Sequence, residues 1–312
     1  MVFIIATQAS DEQKTPKEVG SVVEDTDSNE AMLTDVVDRR ALAGWIGDAE
    51  QARLEFIAEL GAIREEQQAD REEASQRSED THEVPPELES LRERSPQQWG
   101  EVVTGVRTQL DTTEDKIALT LDACGGSYDS ELIEYLKDQQ VPATLFVSGL
   151  WLNNHGETTA ELAANPLFEI ANHGLNHRPC SVRGEKALDI EGTSSVGEAY
   201  REIEANARQI ETLVGYRPKY YRSGTAYYDE VCTEIAEKTG HIVAGYDVVG
   251  DLGASYSAAQ VERALLEAEP GSIVVLHMNR PEGETAQGLK KAIPALLDAG
   301  FDFVHLSDYA LR

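Results

Sequence analysis

From Lys116 onward, short apolar runs alternate with longer stretches in which apolar residues recur every three or four positions. The runs are Ile117 to Leu121, Ala143 to Val147, Phe168 to Ala171, Tyr220 to Arg222, Ile242 to Tyr246, Ile273 to Leu276 and Phe303 to Leu306. Segments so short and so continuously apolar suit strands buried on both faces. The stretches between them predict helices around Asp129 to Gln139, Val196 to Val214, Tyr228 to Thr239, Ala258 to Glu267 and Thr285 to Ala299. Repeated strand and helix units imply an α/β domain with a parallel sheet, either a TIM-like barrel or an open doubly wound sheet.

The first third of the chain reads differently. Residues 1–30 open with a brief apolar run, MVFIIATQAS, and continue polar and acidic, as in a disordered terminus or a remnant leader. Residues 31–112 are predicted to form a helical extension and linker. Within them Leu33, Val36, Val37, Trp45 and Ile46, then Leu54, Ile57, Leu60 and Ile63, keep helical spacing. Pro85-Pro86 breaks any continuing helix, and Ser95-Pro96 offers a cap for another whose face carries Trp99, Val102, Val103, Val106 and Leu110. The α/β domain is expected to occupy residues 113–312.

Charge narrows the choice of partners. The 57 acidic and 27 basic side chains give a formal net charge of −30, which repels nucleic acid and anionic membrane surfaces. A neutral or cationic glycan tolerates it. The excess runs the length of the chain and only nine of the basic residues are Lys, a surface suited to high salt, where self-repulsion is screened. No stretch approaches the roughly 20 apolar residues of a membrane span. Three cysteines, Cys124, Cys180 and Cys232, are too few for a disulfide scaffold, and small buried thiols are expected, with Cys124 and Cys180 able to approach each other or a metal.

Candidate chemistry lies where the apolar runs end. The motifs are Leu121-Asp122-Ala123-Cys124-Gly125, His173-Gly-Leu-Asn-His177, Tyr221-Arg222-Ser223-Gly224, Asp247-Val-Val-Gly-Asp251 and Leu276-His277-Met278. Polar residues at the C-terminal ends of parallel strands converge on one rim of a barrel. His173 and His177 stand four apart, a spacing that lets two imidazoles share a metal. Together these motifs resemble the polysaccharide deacetylase family, also called NodB-like or carbohydrate esterase family 4, from about Asp115 to Leu311. The resemblance implies a distorted (β/α)7 TIM-like barrel following the N-terminal helical extension.

It also implies roles. Asp122 corresponds to the general base, and Arg222 to the arginine that orients it through charge-assisted hydrogen bonds. His277 corresponds to the general acid and Asp251 to its carboxylate partner, with Asp247 a second candidate for that partnership. The metal pair is His173 and His177. The family's usual Thr-Phe-Asp-Asp-Gly is Thr120-Leu-Asp-Ala-Cys-Gly125 here, so Ala123 stands where the third metal ligand is expected. Three replacements are open: Asp122 itself, a Cys124 thiolate favouring zinc, or Asp129 from the following loop. Asp122 with His173 and His177 is the preferred set. Gly174 stands in place of a Ser or Thr, and Leu252 in place of the Trp that floors the acetyl pocket. Tyr220, Tyr221, Tyr227 and Tyr228 suit either sugar stacking or core packing. His155, His241 and His305 match no motif and are expected to be structural.

The expected activity is metal-dependent hydrolysis, with zinc or cobalt, of N-acetyl groups on an amino-sugar polymer such as chitin or peptidoglycan. An N-acetylated glycan is then the partner, and an extracellular or cell-envelope location follows by resemblance alone. Hydrolysis of another non-peptide C–N bond, in a ureide or amide, is an alternative. A catalytically silent glycan-binding protein is another, supported by Ala123 and Leu252.

Overall fold

A computed structural model describes residues 84–312 of the chain. The leader and most of the helical extension expected from the sequence lie outside the described residues. The described part is built on a nine-stranded sheet. Its strands are β1 (Val106–Arg107), β2 (Lys116–Ala123), β3 (Ala143–Val147), β4 (Phe168–Asn172), β5 (Tyr220–Tyr221), β6 (Ile242–Ala244), β7 (Val248–Val249), β8 (Ile273–His277) and β9 (Asp302–Val304). They run parallel in the order β7-β8-β2-β3-β4-β5-β6-β1, with β9 paired to the start of β2. The sheet curls until Gln109, beyond β1, bridges Ser272, before β8. This is the distorted (β/α)7 barrel expected.

Six helices surround the sheet: α1 (Ser130–Asp138), α2 (Gly149–Ala163), α3 (Val196–Val214), α4 (Glu230–Lys238), α5 (Ala258–Leu266) and α6 (Thr285–Asp298). The cap residues explain several starts. Asp129, Ser148, Ser195 and Asp229 each accept a hydrogen bond from the backbone N–H three residues on, satisfying a donor the helix cannot. The sequence pattern did not anticipate α2. Gly149, Asn153, Asn154 and Gly156 are poor helix formers, and the backbone kinks at His155 (φ −129°, ψ 29°), so no clean apolar stripe forms.

The period-two alternation of β2 organises the core. Ile117, Leu119, Leu121 and Ala123 are fully buried in the layer between sheet and helices, with Leu132, Ile133, Trp151 and Leu276. Each such Leu or Ile contributes about 1.5–3 kcal/mol of burial. Ala118 belongs instead to the barrel interior with Phe146, Ala171, Tyr220, Ala244 and Ile273. Thr120 and Asp122 follow Ala118 on that inner face. Arg222, fully buried, fills the lumen above this layer with its guanidinium carbon 4.3 Å from the Phe146 ring centroid.

The helix expected over Trp99 to Leu110 does not form. Trp99–Gly100 instead pairs antiparallel with Tyr228–Asp229, and Val106–Arg107 adds β1 to the main sheet. Gly105, between them, has φ +100°, which a helix cannot accommodate, and Val102 is 72% exposed instead of facing a neighbour. The cysteine expectation also changes. Cys180 pairs with Cys232 in a disulfide that joins the loop after His177 to α4, and Cys124 remains free.

Candidate active site

The strand register brings the motifs together. Asp122 on β2 lies opposite His277 on β8, Ala123 opposite Val147, Val147 opposite Asn172, and Asn172 opposite Tyr221. Residues 122, 173, 222 and 277 therefore occupy neighbouring strand ends on one rim.

Arg222 is the centre of the inner network. Its Nη1 donates to Asp122 Oδ1 (2.8 Å) and Thr120 Oγ1 (2.9 Å), its Nε to the Ala244 carbonyl (3.0 Å) and its Nη2 to the Gly245 carbonyl (2.9 Å). Four acceptors leave the guanidinium one geometry, so one oxygen of Asp122 is held in place. The other, Oδ2, lies 3.7 Å from His173 Nε2.

His173 Nδ1 hydrogen-bonds the Arg222 carbonyl (3.0 Å), which assigns the proton to Nδ1 and leaves Nε2 as a lone pair facing Cys124 Sγ at 3.6 Å. His177, at φ +55°, places its ring centroid 5.0 Å from that of His173, and its buried Nε2 has no hydrogen-bond partner. The donor atoms of Cys124, His173 and His177 all lie within 4.8 Å of one another. Two imidazoles and a thiol form a set suited to zinc, and the unpartnered Nε2 of His177 and the directed lone pair of His173 fit such an ion. Burial opposes ionisation of the Cys124 thiol, but the neighbouring histidines, His177 foremost, outweigh it and hold the thiol well below its ordinary range. Burial likewise lowers the affinity of His173 for a proton, while Asp122 and Cys124 raise it to a net increase.

Ala123, where the family pattern leads one to expect a ligand, is sealed in the outer apolar layer. Asp129 does not reach the histidines: it is buried and accepts from Leu132 N (3.0 Å) as the cap of α1.

The second pair is His277 and Asp251. Nδ1 of His277 is 2.8 Å from Asp251 Oδ1, and the other carboxylate oxygen accepts from His277 N (2.7 Å) and Thr285 Oγ1 (3.0 Å). Burial works against the imidazolium, yet the Asp251 charge prevails and raises the pKa of His277 well above the usual histidine range. Asp247 serves elsewhere. Its carboxylate accepts from Gln109 Nε2, Ser272 Oγ and Ile273 N, tying β8 to the segment after β1, so it does not partner His277.

Several supporting residues were not singled out from sequence. Glu202 on α3 is buried, and its Oε1 accepts from the N–H groups of Asn176 (2.8 Å) and Arg178 (3.2 Å), on either side of His177. A Cβ at Gly174 would stand 2.7 Å from that same oxygen. Glycine at 174 and the carboxylate at 202 are thus one arrangement. Asn206, one turn along α3, donates to the Val147 carbonyl and to Asn172 Oδ1. At Gly224 an added Cβ would lie 2.3 Å from the His177 carbonyl carbon, so the glycine lets the two motifs touch. His155 Nε2 meets the Gly126 carbonyl at 2.8 Å and steadies the loop carrying Cys124. The only sequence signal for Glu202 and Asn206 is their four-residue spacing on a helix, which many solvated helix faces share.

Tyr220, Tyr221 and Tyr228 are core residues, while Tyr227 is half-buried at the rim. Leu252 is 57% exposed and does not floor a pocket. His241 and His305 are structural: His241 Nδ1 meets Thr239 Oγ1 and His305 Nε2 the Leu167 carbonyl.

Residues 109–244 match the sequence profile described as polysaccharide deacetylase. Over these residues the chain matches the polysaccharide deacetylase family. A chitooligosaccharide deacetylase of Sinorhizobium fredii is 29% identical over 191 residues, 56% of this chain and 81% of its own length. The protein YlxY of Bacillus subtilis is 24% identical over 181 residues, 57% of this chain and 52% of its own, so this deacetylase-family chain spans about half of YlxY. Among solved structures, a CE4 family pseudoenzyme from Bacillus anthracis superposes with a TM-score of 0.56 at 18% identity, covering 67% of this chain and 69% of that one. The family 4 carbohydrate esterase PdaA of Bacillus subtilis gives 0.54 at 20% identity, covering 73% and 90%. At these identities the structural matches establish the fold.

Proposed function

We propose that this polysaccharide deacetylase family member is a metal-dependent hydrolase that removes N-acetyl groups from an amino-sugar polymer of the chitin or peptidoglycan kind. The observation that carries the reading is the placement of two separate acid–base pairs, Asp122–Arg222 and His277–Asp251, beside the trio of buried His173 and half-buried Cys124 and His177.

The trio would hold a divalent ion, zinc best suiting its thiolate and imidazoles. Bound there, such an ion supplies Lewis-acid polarisation of the acetamide carbonyl and a lowered pKa for water. With Cys124 as third ligand, Asp122 keeps its role as base. Its carboxylate, oriented by Arg222, takes a proton from the attacking water. His277, kept protonated by Asp251, delivers a proton to the departing amine. The thiolate thus answers the absence of a carboxylate at position 123.

An extracellular or cell-envelope location suits a polymeric glycan substrate, and the Cys180–Cys232 disulfide supports an oxidising compartment. Among the described residues no helix is long and apolar enough to cross a membrane.

Acetate release from N-acetylglucosamine oligomers, with chelator and zinc or cobalt add-back, tests the reading. Chelator-sensitive release is expected. A folded, metal-loaded protein that binds the oligomers without releasing acetate would make it a silent glycan binder, and one that neither binds nor cleaves them would redirect the search to other C–N substrates.

A further inference from the structure

The segment before β1 lies outside the residues matching the family profile, yet it forms part of the catalytic rim. It is firmly built. Gln97 N and Gln98 N donate to the two carboxylate oxygens of Glu230 (2.8 and 2.9 Å), Thr104 N donates to Gln98 Oε1 (2.7 Å), and Thr233 Oγ1 donates to the Thr104 carbonyl (2.7 Å). Trp99–Gly100 pairs with Tyr228–Asp229, directly after the Arg222 motif.

This segment brings two side chains, Trp99 and Glu101, against Tyr227 and Tyr246. The rings of Trp99 and Tyr227 are both half-buried, 5.8 Å apart and tilted by 49°, an open aromatic corner of the sort on which sugar rings rest. Glu101 is exposed, its Oε2 3.2 Å from the Tyr246 hydroxyl. The Tyr246 ring centroid is 5.5 Å from the guanidinium carbon of Arg222, which holds Asp122. One tyrosine therefore separates Glu101 from the catalytic ion pair. Among the described residues no cation pairs with Glu101.

We propose that Trp99, Tyr227 and Glu101 form a saccharide subsite that takes a glucosamine unit bearing a free ammonium group, next to the acetylated unit under attack. The two rings bind the sugar face. The Tyr246 phenol donates to the carboxylate on one side, and its remaining lone pairs face solvent, where an ammonium satisfies them and a neutral acetamide does not. The consequence is preference for partly deacetylated polymer, so that each turnover creates the group recognised in the next. The identity of the glycan rests on the deacetylase reading; the binding preference is measurable without turnover.

The test is calorimetric titration of the full chain with a fully deacetylated glucosamine tetramer, which offers no acetyl group to cleave, and with the N-acetylated tetramer after chelation. The deacetylated tetramer is expected to bind roughly tenfold more tightly, the scale of a hydrogen bond to a charged group. Glu101→Gln should erase that difference and leave the acetylated tetramer unaffected, whereas Trp99→Ala should weaken both about fivefold. Circular dichroism verifies folding of each variant. A wild-type chain without the preference, or a preference that survives Glu101→Gln, overturns the proposal. Preference lost in Glu101→Gln with no acetate released from any oligomer would uphold the subsite and remove the deacetylase reading; acetate release without preference would do the reverse.

Discussion

Asp122 and His277 are register partners on adjacent strands, and each side chain is committed to a different neighbour, Asp122 to Arg222 and His277 to Asp251. Two groups that must carry opposite proton charges thus stand side by side without neutralising each other. Arg222 fixes the direction of the Asp122 carboxylate, and Asp251 favours the imidazolium of His277, which suits that ring for donating a proton.

Asp122→Asn and Cys124→Ser separate base from ligand. Asp122→Asn should lower kcat by about 10²- to 10⁴-fold, the usual contribution of a general base, while metal content is kept. Cys124→Ser should lower bound zinc in dialysed protein, because a neutral hydroxyl replaces an anionic sulfur. Metal lost from Asp122→Asn and kept in Cys124→Ser would move the third-ligand role to Asp122. Elemental analysis of both variants decides it.

Asp251→Asn removes the charge that raises the pKa of His277. In the wild-type chain the imidazolium persists above the ordinary histidine pKa of about 6.5. In the variant, burial acts unopposed by Asp251. The alkaline limb of the kcat/KM profile should therefore shift to lower pH, with kcat reduced throughout; an unmoved limb would show that His277 is not the titrating acid.

Glu202→Ala frees the two amides flanking His177. Leaving buried donors unpaired costs about 1–3 kcal/mol each, so thermal stability should fall. Zinc affinity should fall with it, by about 10- to 100-fold, as for other outer-shell supports of metal ligands. Gln at 202, which keeps an acceptor oxygen, should recover much of the affinity. Equal loss in both variants would assign the effect to the charge of Glu202.

His241 provides a pH handle on stability remote from catalysis. Burial, and then the charge of Arg217, push its pKa down to about 4. Between that value and an unfolded value of about 6.5, the unfolded chain binds a proton that the folded chain refuses, so stability falls as pH drops through this window and is whole above it. The loss amounts to roughly 3 kcal/mol at its fullest. His241→Asn should flatten urea-unfolding stability over that range, and an unchanged slope would assign the acid sensitivity to other groups.

Seven of the nine sheet strands were legible because a buried parallel strand declares itself in a few adjacent apolar residues, and the candidate residues were marked because they stand where those strands end. Helices α1, α3, α4, α5 and α6 were legible for the same local reason. The segment from Trp99 to Leu110 was not. Its apolar spacing fits a helix, and it becomes strands only because Tyr228 and β6 offer backbone partners more than a hundred residues away. That pairing is invisible to a local pattern.

The sequence by itself marked the candidate residues: an aspartate, an arginine, three histidines and a second aspartate at strand ends. Only the tertiary structure decided how they are shared out. It sealed Ala123 in the outer layer, turned Cys124 toward His173, gave Asp129 and Asp247 to caps and ties, and set Glu202 in the space left by Gly174. The physical reason is that a strand's alternation and a helix's pitch fix the direction of a side chain, whereas its partner depends on which distant segment the curled sheet brings alongside.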